Sequence, residues 1–295
     1  MARFILLSYL ISFMPDDTFE YRLPVESASH KNSAMTGKNS PKSNILSYTL
    51  FGERWRHFEQ GISPIMQQVS KSSLYKNWTV RIYHDSHLNA THQASYKKTY
   101  GSRVKFIDAK DVPGYGDISS KTERIWRFHP MSDDTVDVFC SRDLDSDLLE
   151  REQSAVHYWI HKMDTSLLVM RDHPFHRAKI MAGMWCFRKN GNKELGKKLW
   201  EMMLEKANNK DDKTIDQWLL GSIVFPRLKS DTTTFDSYHC TEFSNTISFP
   251  TKRNIDNNFV GNYRRLWATG PGFRHPSTPC PIECRPNDHK DWINC

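Results

Sequence analysis

Between Ile45 and Met170, short β-rich runs alternate with stretches whose apolar residues recur at helical spacing, and this alternation limits the fold more than any other feature. Ile45 to Phe51 reads as a strand ending at Gly52, after which Trp55, Phe58, Ile62, Ile65 and Val69 mark one helix face. Trp78, Val80 and Ile82 alternate as in a strand, His87 to Tyr100 supplies a polar helical crossover, and Val104 and Phe106 alternate within a strand over Arg103 to Asp108. Val136, Val138 and Phe139 form a further strand. Leu149, Val156, Trp159, Ile160 and Met163 then mark a helix before the apolar run Leu167 to Met170. Strands joined by helical crossovers specify an α/β sheet, and ligands of such sheets gather at the carboxyl ends of the strands, where Asp85, Asp143 and Arg171 fall. Glu194 to Lys206 and Thr214 to Val224 are expected helices, and after Pro226 the pattern breaks into loops.

The stretch from Thr135 to Leu149 carries the chemistry. A buried strand runs directly into Asp143 and Asp145, which lie two apart and project toward one side. Like charges at that spacing are tolerable when a divalent cation sits between them and a polyanion, and a metal-bound diphosphate is the simplest candidate. The competing interpretation is a solvated acidic turn, with Asp147 and Glu150 capping the next helix. Arg124 and Arg127 flank Trp126, an arrangement suited to clamping a phosphate or a base, with core packing of Trp126 as the alternative.

Four motifs in order, Arg124-Ile-Trp-Arg-Phe-His-Pro-Met-Ser-Asp133, Ser141-Arg-Asp-Leu-Asp-Ser146, Met170-Arg-Asp-His-Pro-Phe-His176 and Ala182-Gly-Met-Trp185, together resemble a group of GT-A glycosyltransferases with a DxD motif. The likeness extends to Tyr48–Gly52, Trp78–Asp85, Asp216-Gln217, Asp236–Cys240, Phe249–Arg253 and Phe259–Gly261. It implies a mixed, mainly parallel sheet flanked by helices over residues 44–270 and transfer of a sugar from a nucleotide-sugar donor to a glycan, lipid or protein hydroxyl, with retention preferred over inversion. It further implies Asp145 as a direct ligand of Mn²⁺ (or Mg²⁺), Asp143 on the ribose or a metal-bound water, and His239 as a third ligand, with imidazole suiting Mn²⁺. Arg171, Asp172 and His173 would face the sugar hydroxyls, Gly183 would let backbone approach the substrate, and Trp185 would stack on a sugar face. Asp216 or Asp172 would be the general base of an inverting reaction, or the counter-charge of a retaining one.

Two other classes compete. Asp143-Leu-Asp145-Ser146 superficially matches the nucleophile strand of haloacid-dehalogenase-like phosphatases, but Ser141 and Arg142 stand where that family has apolar residues. A non-catalytic sugar- or nucleotide-binding relative is the other, against which the intact Asp143, Asp145 and His239 argue.

The 295 residues, 38% hydrophobic and 25% charged, suit one catalytic domain with appendages. A net charge of +7 favours anionic partners, but Lys and Arg are scattered without a nucleic-acid module, which argues against nucleic acid. Residues 1–14 hold the apolar run Phe4 to Met14, short of the roughly eighteen residues that span a bilayer and suited to a signal core or truncated membrane anchor. Residues 15–43 form a polar stem. An apolar start before a polar stem resembles membrane-anchored Golgi glycosyltransferases. Cys140 and Cys186 are expected as small buried residues. Cys240, Cys280, Cys284 and Cys295 would cross-link the tail over 271–295 in one of three pairings, with zinc held by cysteines and His289 or His275 as the alternative. Disulfides would place the chain in the secretory pathway, in the Golgi lumen or secreted, where the sequons at Asn77 and Asn89 could be used, and free thiols in the cytoplasm.

Overall fold

A computed structural model describes residues 43–208, 212–243, 245–254, 258–263, 276 and 278–295. The expected apolar segment, nearly all of the stem, His275 and the 270/271 boundary lie outside the described residues.

Eight strands form one sheet: β1 (Ser43–Leu50), β2 (Thr79–His84), β3 (Val104–Asp108), β4 (Val136–Ser141), β5 (Leu167–Arg171), β6 (Trp185–Arg188), β7 (Thr232–Asp236) and β8 (Thr246–Ile247). Their order is β3-β2-β1-β4-β6-β5-β7-β8, and every neighbouring pair is parallel except the two made by β6. The α/β sheet expected from the strand and helix alternation is therefore present, and it is mixed and mainly parallel as the motif resemblance implies.

Side chains alternate across the pleat, so Leu168 and Met170 of β5 enter one core while Leu167 and Val169 enter the other. The helices Ile62–Lys71 and Glu150–Lys162 supply Ile65, Val69, Val156 and Trp159 to the first. On the opposite face lie Glu123–Met131, a 3-10 helix, and Leu199, Trp200 and Met203 of a helix over Lys193–Lys206. Both faces are covered, which explains why β4 and β5 read as nearly continuous apolar runs.

Several expectations change. The helix over residues 55–69 is two, Trp55–Glu59 and Ile62–Lys71, with Gln60 and Gly61 between them. The region after Pro226 is not all loop, because Thr232–Asp236 pairs parallel with β5 as a fully buried strand. Its three threonines masked the apolar signal. Cys140 and Cys186 are not free thiols: they face each other across the antiparallel β4/β6 pair and form a disulfide. In the tail Cys240 bonds Cys284 and Cys280 bonds Cys295, so no cysteine is left for zinc. No helix among the described residues is long and apolar enough to cross a membrane.

Candidate active site

β1 has β2 on one side and β4 on the other, and the crevice at such a switch point is where open α/β sheets bind ligands. A cleft of about 740 Å³ opens there. Thr49 to Arg54 leave β1 along one wall, Asp143 to Asp145 leave β4 at its centre, and Met181 to Met184 approach from the segment before β6.

The centre is organised by Arg127, which lies in the 3-10 helix beside β1 and is almost fully buried. The Ser47 hydroxyl donates to the Arg127 carbonyl at 2.6 Å, and the guanidinium donates to the Arg142 carbonyl at 3.0 Å. It also reaches two carboxylates, with Arg127 Nη1 on Asp143 and Nη2 at 3.3 Å from Asp216. Burial disfavours the guanidinium charge, but Asp143 and Asp216 more than compensate and raise its pKa. Asp216 sits in the first turn of Ile215–Leu219 and is also buried. Burial, and after it the nearby Asp143, raise its carboxyl pKa against the pull of Arg127.

Asp143 and Asp145 both line the cleft, and the Asp143 side chain remains 45% exposed. A Cβ on Gly183 would come within 2.6 Å of the Asp143 Cγ, so only glycine lets that backbone lie against the carboxylate. Tyr263 closes the other side. Its backbone bridges Ser146, and burial, then Asp145 and Asp143, raise its hydroxyl pKa. At the β1 wall the Arg124 guanidinium lies 5.8 Å from the Phe51 ring centroid. The Gly52 turn is held by its N–H donating to Asp85 at 2.8 Å, so Asp85 supports the rim from its strand end.

Arg124, Arg127, Asp143, Asp145, Gly183 and Asp216 thus meet in one cleft, and the other expected site residues do not line it. Asp172 is fully buried. It accepts from Arg151 at 3.0 Å, Arg253 at 2.7 Å, Ser237 at 2.6 Å and the Val260 N–H at 3.0 Å. Burial alone would raise its pKa, but the two arginines hold it far below the usual carboxylate range, which suits a structural anion and not a base. Arg171, the last residue of β5, pairs with Asp236 at 2.5 Å and lies 3.6 Å from the Phe243 ring centroid. His173 is buried against Phe259. Trp185 packs edge-on between Phe128 and Phe139 in the core.

His239 is buried too, its Nε2 3.0 Å from the Pro174 carbonyl and Nδ1 3.2 Å from Glu242. Among the described residues no cluster of three His, Cys, Asp or Glu side chains could hold a metal, so the expected Asp143, Asp145 and His239 set is not assembled. The acidic-turn alternative also changes, because Asp147 accepts from Gln68 at 2.7 Å and Leu149 occupies the helix N-cap without a side-chain hydrogen bond. Arg142 turns inward to Glu152 at 2.5 Å.

Lys213, His176, Phe175 and Tyr263 line the cleft and were not singled out as site residues. His176 and Phe175 lie inside a quoted motif, so the signal was present but was assigned to their neighbours. Burial drives the His176 pKa down to about 3, and Nδ1 accepts the Asp172 N–H at 3.1 Å. The neutral ring therefore carries its proton on Nε2.

No family model matches the chain, and no curated protein matches it. Among solved structures it is similar to the glycosyltransferase GlyE of Streptococcus pneumoniae TIGR4, at 13% identity and a TM-score of 0.41, covering 67% of this chain and 46% of that one. It is also similar to S. aureus TarS 1-349, at 9% identity and TM-score 0.41, covering 66% and 58%. The galactosyltransferase LgtC, in complex with donor and acceptor sugar analogues, is 14% identical with TM-score 0.41, covering 66% of this chain and 73% of that one. The alignments thus span less than two thirds of GlyE and of the TarS fragment.

Proposed function

We propose that this chain is a glycosyltransferase taking a nucleotide-sugar donor in the cleft at the ends of β1 and β4. The observation that carries the reading is the convergence of Asp143, Asp145, Arg124, Arg127 and Asp216 at that crevice. The motif resemblance supports it independently.

In this reading the diphosphate lies over the carboxyl end of β4, where Arg124, Arg127 and Lys213 offset its charge. The nucleoside extends toward Phe51 and Gly52. Tyr263 and the His176 Nε2–H offer hydroxyl and imidazole hydrogen bonds to donor oxygens. Because Arg127 is held by the Arg142 carbonyl, Asp143 and Asp216, its charge is fixed before substrate arrives.

Asp145 and Asp143 are the residues that would hold Mn²⁺ or Mg²⁺. Two carboxylate donors at a strand end fit such a cation, which commonly completes its shell with substrate phosphates and water. When bound it would stabilise negative charge on the departing diphosphate. His239 has no part in this ligand set, since its ring is committed elsewhere. Asp216 is the carboxylate available to the reacting centre. It accepts the acceptor hydroxyl proton in an inverting reaction and opposes oxocarbenium-like charge in the retaining course that the resemblance favours.

Three disulfides use every cysteine and support an oxidising compartment, the Golgi lumen or the cell exterior. Incubation with a panel of nucleotide-sugars and Mn²⁺ tests the reading. Donor hydrolysis or transfer is expected; phosphate release from generic esters, or sugar binding without turnover, would overturn it.

A further inference from the structure

Phe175 is the most solvent-open large apolar side chain among the described residues, 71% exposed, and it lines the cleft. It is not loose. The Phe175 N–H donates to His173 Nδ1 at 3.2 Å, and the two rings lie 5.2 Å apart. His173 in turn packs 4.5 Å from the Phe259 ring, which also contacts His176 at 5.6 Å. His176 and Val260, the residue after Phe259, are tied to buried Asp172, whose N–H reaches His176 and whose carboxylate receives the Val260 N–H. An exposed phenyl is therefore mounted on a packed cluster of aromatic rings.

Its location limits what it contacts. Phe175 follows β5, which lies two strands beyond β4 and on the far side of β4 from β1. With the nucleoside toward Phe51 and the diphosphate over β4, the Phe175 side of the cleft is left for the acceptor. Asp216 and Gln217 line the same cleft and supply a carboxylate and an amide. A pyranose has the matching chemistry, a face of C–H groups for an aromatic ring and a rim of hydroxyls for carboxylate and amide acceptors.

We infer that Phe175 is the stacking platform of a carbohydrate acceptor subsite, so that the acceptor is a glycan and not a peptide or lipid hydroxyl. His173, Phe259 and Asp172 are positioning residues that hold the platform. The inference rests on the donor site proposed above.

The test uses the full chain, the best donor of the panel, a set of methyl glycosides and a Ser/Thr-containing peptide. Transfer to at least one methyl glycoside is expected. Phe175→Ala should raise its KM by roughly tenfold with a smaller change in kcat, Phe175→Tyr should restore it, and thermal melting should show both variants folded. If wild type turns over donor but transfers only to the peptide, or if Phe175→Ala leaves the glycoside KM unchanged, the acceptor inference fails while the donor site stands. If wild type neither binds nor turns over any donor, both readings fall.

Discussion

The Asp143 and Asp172 carboxylates both follow a strand end and both pair with arginine, yet their surroundings are opposite. Asp172 is sealed from water and receives two guanidinium groups, a hydroxyl and a backbone N–H. Asp143 is nearly half exposed and shares its single guanidinium with Asp216, while Asp145 stands close by. The first cluster has its charge satisfied internally. The second opens to solvent in a cleft where Asp143, Asp145 and Asp216 are met by Arg124, Arg127 and Lys213. The number of donors the fold gives a carboxylate at a strand end thus separates a sealed structural anion from one left accessible to solvent.

Removing the charge at the saturated cluster should have the largest effect on stability. Asp172→Asn leaves Arg151 and Arg253 buried and uncompensated, and denaturant unfolding should show a loss of about 3–5 kcal/mol, whereas Asp143→Asn should change stability by less than about 1 kcal/mol. The acid limb follows the same contrast. Asp172 has a depressed pKa in the fold, so its contribution is complete above the unfolded value of about 3.9 and is lost as pH falls below it. Asp133, drawn down to about 2 when Arg81 and Thr135 outweigh burial, acts in the same direction. Unfolding measured from pH 5 down to 2 should therefore steepen in wild type and flatten in Asp172→Asn. Equal stability of Asp143→Asn and Asp172→Asn would erase the distinction.

The saturated cluster also anchors the tail, because Arg151 donates to the Cys295 carbonyl at 2.5 Å and the Arg253 N–H to the same carbonyl at 3.2 Å. The Cys280–Cys295 disulfide closes a separation of 15 residues, and a loop of that size contributes about 3 kcal/mol. Replacing both cysteines by serine should lower unfolding stability by about that amount. No change would mean that the tail is an appendage without a share in the buried network.

How much of this was legible in the sequence depended on the kind of signal. Strand and helix alternation reports burial, so β1 to β5 and their flanking helices were readable from Ile45 to Met170. β7 escaped because Thr232, Thr233 and Thr234 are buried without being apolar, and β6 escaped because Trp185 was assigned to a substrate loop. At the site, spacing located Asp143 and Asp145 and the motif resemblance added Asp216, but neither showed the partners of Arg171, Asp172 or His239. Glu242 lies only three residues from His239, but Asp236, Arg253 and Pro174 come from other parts of the chain, and only tertiary structure shows that the three side chains are already engaged.

At the open cluster the sharpest small probe is Gly183→Ala. The new methyl must displace the Asp143 carboxylate. Donor turnover should fall by about 10²-fold through misplacement while unfolding stability shifts by roughly 0.5 kcal/mol. Unaltered turnover would show that the Asp143 position is not critical.

The central claim is that the Asp143–Asp145 cleft holds a nucleoside diphosphate, and calorimetric titration tests it most directly. UDP, GDP, CDP and ADP are each titrated with Mn²⁺ into wild type and into Asp145→Asn, with circular dichroism confirming the fold of the variant. The account predicts that at least one nucleotide binds wild type and that its binding is weakened or lost in Asp145→Asn. Failure of all four to bind wild type, or equal affinity in the folded variant, would contradict it.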